Sequence, residues 1–224
     1  MKAIAICIVF VFTFASCENY YYSQAEKLSA DGKYQESIVL LDKVIKKNPR
    51  HVYALIDRGT YKSRLEDYNG AIEDYTKAIE VESVNALAYF NRGILKAELD
   101  NYIGAIEDYT KAIEAKGGGG AFYFETVENP FFPTGEKNPL SDNVAMAEIH
   151  FNRGYAGYHI DSLSLAFNDF SFCIGSNYEP ATSYYMVGMI YIHSGQNIEA
   201  WQALTKAKIH GHLDAQEMID KYIK

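Results

Sequence analysis

Three pairs of arginine and aspartate recur at one spacing. Arg58 stands 16 residues before Asp74, Arg92 stands 16 before Asp108, and Arg153 stands 16 before Asp169. In the same frame, two further stretches lack both members and hold Gln24 with Leu40 and Val187 with Ala203. An acid and a base that occur together or not at all are expected to pair. The pairing either links two helices of one unit or runs from Asp74 to Arg92 of the next; duplication that copied both residues is the alternative. A planar guanidinium on an aliphatic stem suits such a half-buried place. The adjacent acids Glu73-Asp74 and Glu107-Asp108 then each leave one carboxylate for a solvated helix face. His210 and His212 flank Gly211 at a spacing that either chelates a metal or marks a turn, and His150, His159 and His193 share no cluster. There is no glycine-rich phosphate loop ahead of a helix, no metalloprotease helix signature and no nucleophile elbow. No catalytic residue, metal ligand or cofactor is expected.

The elements that must position these residues are written as a repeat. AIEDYTKAIE runs from Ala71 to Glu80 and returns unchanged from Ala105 to Glu114, 34 residues later. A small residue stands 12 positions ahead of a second small residue in five copies: Ala25 and Ser37, Gly59 and Ala71, Gly93 and Ala105, Gly154 and Ala166, Gly188 and Ala200. Two helices that cross closely need small residues at the crossing, because any side chain there holds the backbones apart. Large residues fill the volume a turn away in one column, Leu41, Tyr75, Tyr109, Phe170 and Leu204. Ala78, Ala112, Cys173 and Ala207 form the next column, where a following unit docks. Cys173 is therefore read as a small core residue and not as a nucleophile.

A 34-residue helix-turn-helix period with these small residues resembles the tetratricopeptide repeat, whose units bury their apolar faces only by stacking on neighbours. The resemblance implies an all-α, right-handed superhelical solenoid of five repeats. The expected organisation is a signal peptide over 1–16, repeats one to three over 17–119, an insert over 120–146, repeats four and five over 147–211 and a capping helix over 212–224. Asp31-Gly32 and Ser194-Gly195 are expected to break helices, since glycine takes the left-handed conformation that ends one. In the cap, Ala215, Met218, Ile219 and Tyr222 share a face that covers the last repeat.

The first 16 residues differ in kind. Lys2 precedes an apolar run from Ala3 to Phe14, followed by Ala15, Ser16 and Cys17, which reads as a secretory signal. The run is shorter than the roughly 20 residues of a membrane-spanning helix. Phe14-Ala15-Ser16-Cys17 resembles the lipobox of bacterial lipoproteins, which implies acylation of Cys17, palmitate among its acyl chains, and attachment to an envelope membrane without spanning it. Cleavage without lipidation and an uncleaved anchor are the alternatives. The outer membrane or the periplasmic face is the expected location. Loss of the signal removes Lys2 and no acid, so the formal charge moves from -8 to -9. Such an acidic chain is not suited to nucleic acid or to anionic lipid heads.

The insert 120–146 follows Gly117 to Gly120 and carries Pro130, Pro133 and Pro139 with Phe122, Tyr123, Phe124, Phe131 and Phe132. A flexible linker would be polar, so an ordered segment is expected, either plugging the solenoid or binding a partner.

The repeat resemblance implies a concave groove lined by the first helix of each unit. Tyr22, Ile56, Phe90, Phe151 and Tyr185 precede the crossing residue, joined a turn later by Tyr155 and Met189, while Asn91 and Asn152 stand where the family bonds the backbone of an extended peptide. The groove lacks the lysines and arginines that clamp a free carboxylate. The expected function is a non-enzymatic scaffold, monomeric by itself, that holds a partner protein or peptide. The alternatives are packing of these residues on the insert and neighbouring helices, a ligand-sensing module or enzyme with a site at Tyr123, Tyr155 and His159, and an accessory subunit without a separable ligand.

Overall fold

The computed structural model describes residues 18–117 and 146–222. The signal segment 1–16, Cys17 and the insert as far as residue 145 lie outside the described residues. Among the described residues the chain is all helical. Helix α1 covers 18–30, and α2 (Tyr34–Lys47), α3 (Val52–Arg64), α4 (Tyr68–Val81) and α5 (Ala86–Glu98) follow. Then come α6 (Tyr102–Gly117), α7 (Met146–His159), α8 (Leu163–Gly175), α9 (Pro180–His193), α10 (Asn197–Ile209) and α11 (Ala215–Tyr222). The chain divides into two compact units, Met1–Leu95 and Lys96–Lys224.

Each repeat turns by the same device. Its first helix ends on a residue in the left-handed region: Gly32 (φ 74°), Glu66 (64°), Asp100 (58°), Asp161 (57°) and Gly195 (71°). The next amide then donates back to the carbonyl five residues earlier, as Lys33 to Leu28 (2.9 Å), Asp67 to Lys62 (2.9 Å), Asn101 to Lys96 (2.8 Å), Ser162 to Gly157 (2.8 Å) and Gln196 to Tyr191 (2.9 Å). This satisfies a helix-end carbonyl and reverses the chain. In repeats two and three that amide belongs to the cap of the following helix, where Asp67 and Asn101 accept from the amides of Gly70 and Gly104.

The crossings are as tight as the small residues require. In the first unit a methyl on Gly59 would stand 2.9 Å from the Tyr75 ring and 3.2 Å from the Ala71 carbonyl. In the second, a methyl on Gly188 would meet Leu204 at 2.7 Å, and one on Gly154 would meet Asp169 and Phe170 at 3.2 Å. The first repeat substitutes a hydrogen bond for the glycine: the Ser37 hydroxyl donates to the Ala25 carbonyl at 2.7 Å, both residues being buried. Leu41, Tyr75, Tyr109, Phe170 and Leu204 are all buried, as are Ala78, Ala112, Cys173 and Ala207. The Cys173 thiol donates to the Ala147 carbonyl, and burial with the nearby Asp169 pushes its pKa up to about 12. It packs as a core atom.

Helix α11 buries Ala215 and half-buries Met218 and Ile219, while Tyr222 at its end stays exposed.

Glutamate holds a left-handed conformation at Glu66 that costs a side-chain-bearing residue about 1–2 kcal/mol, and its side chain is exposed. Glu66→Gly is expected to raise the melting temperature by a few degrees, because relief of that strain exceeds the added freedom of the unfolded chain. A lower melting temperature in calorimetry contradicts this account of the turn.

Candidate functional site

Arg58 with Asp74, and Arg153 with Asp169, come together within their repeats. In the first unit Arg58 grips Asp74 through Nε (2.8 Å) and Nη2 (2.5 Å), and its Nη1 reaches Asp42 of α2 at 2.6 Å. Lys62 Nζ adds a contact of 2.8 Å to the same Asp74, which is 0% exposed. In the second unit Arg153 grips Asp169 at 2.9 and 2.8 Å, and its Nη1 donates to Thr110 of α6 at 3.0 Å. His150 Nδ1 lies 2.6 Å from Asp169 as well. One guanidinium thus ties three successive helices.

Asp74 is held by cations of its own repeat; Arg92, of the first unit, donates to Thr76 at 3.0 Å. Asp108, of the second unit, pairs with Lys96 at 2.8 Å. Lys62 and Lys96 were not singled out from the sequence. Their signal was present, since each follows its arginine by four residues. The fourth repeat has Gly157 at that place, and His150 approaches the aspartate instead.

The groove residues have unequal standing. In the first unit Ile56, 1% exposed, belongs to the core with Leu55, Ala71 and Tyr75. Phe90 is also buried, at 4%. Neither offers the open groove surface expected of it; Ile56 is covered by Ala71 and Tyr75 of the following helix. The side chain of Asn91 bonds the Tyr75 hydroxyl, which also lies 3.1 Å from Thr60 Oγ1.

Tyr22 remains half-buried and leads to a group the sequence reading passed over. Its hydroxyl donates to Asp57 Oδ2 at 2.6 Å, and its ring lies against His51 at 5.1 Å. Asp57 occupies the repeat position of Asn91 and Asn152, which was the available signal. Burial raises the Asp57 carboxyl from 3.8 to about 6, opposed by the Tyr22 hydrogen bond and assisted by Glu26.

In the second unit Phe151, Tyr155 and Tyr185 pack against one core cluster. Phe151 packs edge-on to Tyr155 (5.0 Å), Phe170 (5.8 Å) and Tyr178 (5.6 Å). Tyr185 stacks on His212 at 4.0 Å with the planes 6° apart. Met189 is half-buried a turn further along α9. Asn152, Tyr155 and His159 line a cleft of about 290 Å³ together with Ala97, Glu98, Asp100, Tyr102, Tyr109 and Ala156. His159 stacks on Tyr102 at 4.5 Å with the planes 2° apart, and the Tyr102 hydroxyl donates to Asp100 at 3.0 Å. Asn152 Nδ2 donates to the Glu148 carbonyl of its own helix at 2.8 Å, leaving the amide oxygen as an acceptor. Tyr123 lies outside the described residues. His210 and His212 each stack on a tyrosine of α9, and among the described residues no cluster of side chains could hold a metal ion. Nor is any described helix long and apolar enough to cross a membrane.

Stacked helix pairs with side chains presented along one helix of each pair define a helical-repeat protein. Residues 56–120 and 181–208 match tetratricopeptide repeat models, so the chain contains tetratricopeptide repeats. Among solved structures it is similar to a MamA protein, at 20% identity over 93% of this chain and 96% of that one, with a TM-score of 0.70. A second is YrrB, described as a TPR protein with an unusual peptide-binding site, at 18% identity over 89% and 90% with a TM-score of 0.70. A third is MamA 41-end from Desulfovibrio magneticus RS-1, at 13% identity over 86% and 93% with a TM-score of 0.66. At these identities the likeness is one of fold. No curated protein matches the sequence.

Two substitutions test the buried charges. Arg153→Met leaves Asp169 with His150 alone and is expected to cost about 3 kcal/mol in denaturant titration; combined with Asp169→Asn the cost is expected to fall well below the sum. Additive costs would mean that the pair is not coupled. Asp57 has its pKa raised on folding, so the fold favours the neutral acid. Its contribution is complete below pH 4 and is lost as pH rises through about 6. Asp57→Asn is expected to stabilise at pH 8, by up to about 3 kcal/mol, and to change little at pH 4. Equal shifts at both pH values contradict a desolvated carboxylate.

Proposed function

We propose that this protein is a non-enzymatic scaffold that binds an extended segment of a partner protein and is held by lipid on Cys17 at a bacterial envelope membrane, on the outer-membrane or periplasmic side. The observation that carries the reading is the convergence of Asn152, Tyr155 and His159 on one cleft, beside an aromatic face whose rings are already held by edge-to-face packing. Rings fixed before binding lose little conformational entropy when a ligand arrives. Asn152 supplies an amide acceptor beside them, in a fold that presents such side chains along successive helices.

YrrB, with the same fold, is described as having a peptide-binding site, which supports a peptide or protein ligand here. The cleft volume is at the lower limit of small-molecule sites, roughly 300–1,000 Å³, so it suits one side chain of a longer ligand better than a whole cofactor. Ile56 and Phe90 are buried, which supports placing the contact in the second unit. Phe151, packed on Phe170, acts as the support of Tyr155.

The membrane part of the proposal rests on the signal and on the Cys17 motif. Cys17 immediately precedes α1, so a tether of at most a few residues, about 3.5 Å each, would hold the first repeat near the lipid surface.

A photo-crosslinking residue in place of Tyr155 is expected to capture one partner segment from native membranes, with capture lost on adding Asn152→Ala. The same residue in place of exposed Glu73 is expected to capture none. Identical patterns from both positions would remove the scaffold reading. Incorporation of labelled palmitate that persists in Cys17→Ala would remove the lipid anchor.

A further inference from the structure

The cleft has a charge as well as a shape. Among the described residues its lining contains two carboxylates, Glu98 and Asp100, and no lysine or arginine. Two basic residues close to the lining in sequence are already engaged: Lys96 by Asp108 at 2.8 Å and the Gly104 carbonyl at 3.4 Å, and Arg153 by Asp169 at 2.9 and 2.8 Å. Glu179 adds a negative field at Tyr155. Formal charge in the cleft is therefore negative, and its polar atoms include acceptors without a matching cation: the two carboxylates and the Asn152 amide oxygen.

The remaining walls are flat and aromatic. Tyr102 and His159 form a parallel stack at 4.5 Å, Tyr155 stands opposite Phe170 edge-on, and Tyr109 is buried beneath. Ala97 and Ala156 are the small residues of the lining. Flat π surfaces beside carboxylates suit a planar cation, which stacks on the rings while its N–H fork meets the oxygens. An ammonium has no face to stack and is more strongly hydrated.

The insert is a poor source of that cation: between residues 118 and 145 it has Glu125, Glu128, Glu136 and Asp142 against Lys137. The chain as a whole is acidic, at -8, and so draws basic partners.

We propose that the cleft between α5, α6 and α7 is a guanidinium site that takes one arginine side chain of the partner segment. Glu98 and Asp100 pair with the guanidinium, Asn152 accepts from its remaining N–H or from the adjoining backbone, and the Tyr102–His159 stack covers its face. This rests on the peptide-scaffold reading for the source of the arginine, but not for the chemistry of the cleft.

The test uses the full chain and three pentapeptides, acetyl-Ala-Ala-X-Ala-Ala-amide with X arginine, lysine or citrulline. Binding is followed by NMR shifts of the His159 and Tyr102 ring protons. The arginine peptide is expected to bind at least about fivefold more tightly than the lysine peptide, and the citrulline peptide, isosteric but neutral, is expected to show no saturable shift. Glu98→Gln with Asp100→Asn, both at exposed positions, is expected to abolish arginine binding with an unchanged melting temperature. Higher salt is expected to weaken it.

Equal binding of arginine and citrulline, equal binding of arginine and lysine, or shifts that survive the double substitution would each overturn the guanidinium assignment. The scaffold reading fails separately: arginine binding without any segment captured at Tyr155 removes the scaffold and leaves the site. Capture at Tyr155 without arginine binding does the reverse.

Discussion

The close crossing of the two helices in each repeat is the constraint on which everything else in this molecule depends. At Gly59, Gly154 and Gly188 no room remains for a methyl group without moving a ring, a leucine or a backbone carbonyl. That approach places the second helix near enough to bury Tyr75, Phe170 and Leu204 against the first. It also brings an aspartate of the second helix within reach of an arginine of the first. Ser37 and Ala25 show that the constraint is distance and not glycine itself, since a short hydroxyl bonded to a carbonyl fills the same place.

Burying an aspartate in such a crossing is costly unless its charge is met, and the two units meet it differently. Asp74 has an arginine and a lysine, while Asp169 has an arginine and a histidine. In both, the arginine also reaches back to the preceding helix, at Asp42 or Thr110. These arginines are therefore links between repeats as well as within them, which suits a fold in which each unit is stable only against its neighbours. Asp57 is the exception: it receives a phenol hydroxyl in place of a cation and is held toward its neutral form.

Binding surfaces follow from what the crossing leaves uncovered. Side chains two positions apart on the same helix differ in availability, as Ile56 in the core and half-buried Arg58 show. In the second unit the helix ends open a cleft where an amide, phenols, an imidazole and two carboxylates meet without a lysine or arginine among the described lining residues. A stack of helices thus turns a structural repeat into a site with its own chemistry, because Glu98, Tyr155 and His159 stand where the preceding repeat has Arg64, Ile94 and Glu98, while Tyr102, Tyr109 and Asn152 keep the repeated residue.

Repetition made the helices, their turns, the small crossing residues and the buried columns legible from the chain alone. A packing requirement that returns every 34 residues leaves the same residue type at the same place each time. The arginine and aspartate pairing was legible for the same reason. Burial of Ile56 was not, because helical periodicity gives the side a residue faces but not how far the neighbouring helix closes over it. Lys62, His150 and Asp57 stayed hidden because each acts through a partner on another helix, 12, 19 and 35 residues away. The charge and shape of the cleft depend on residues from three helices meeting in space, and a distance between helices is set by packing and not by any one stretch of sequence.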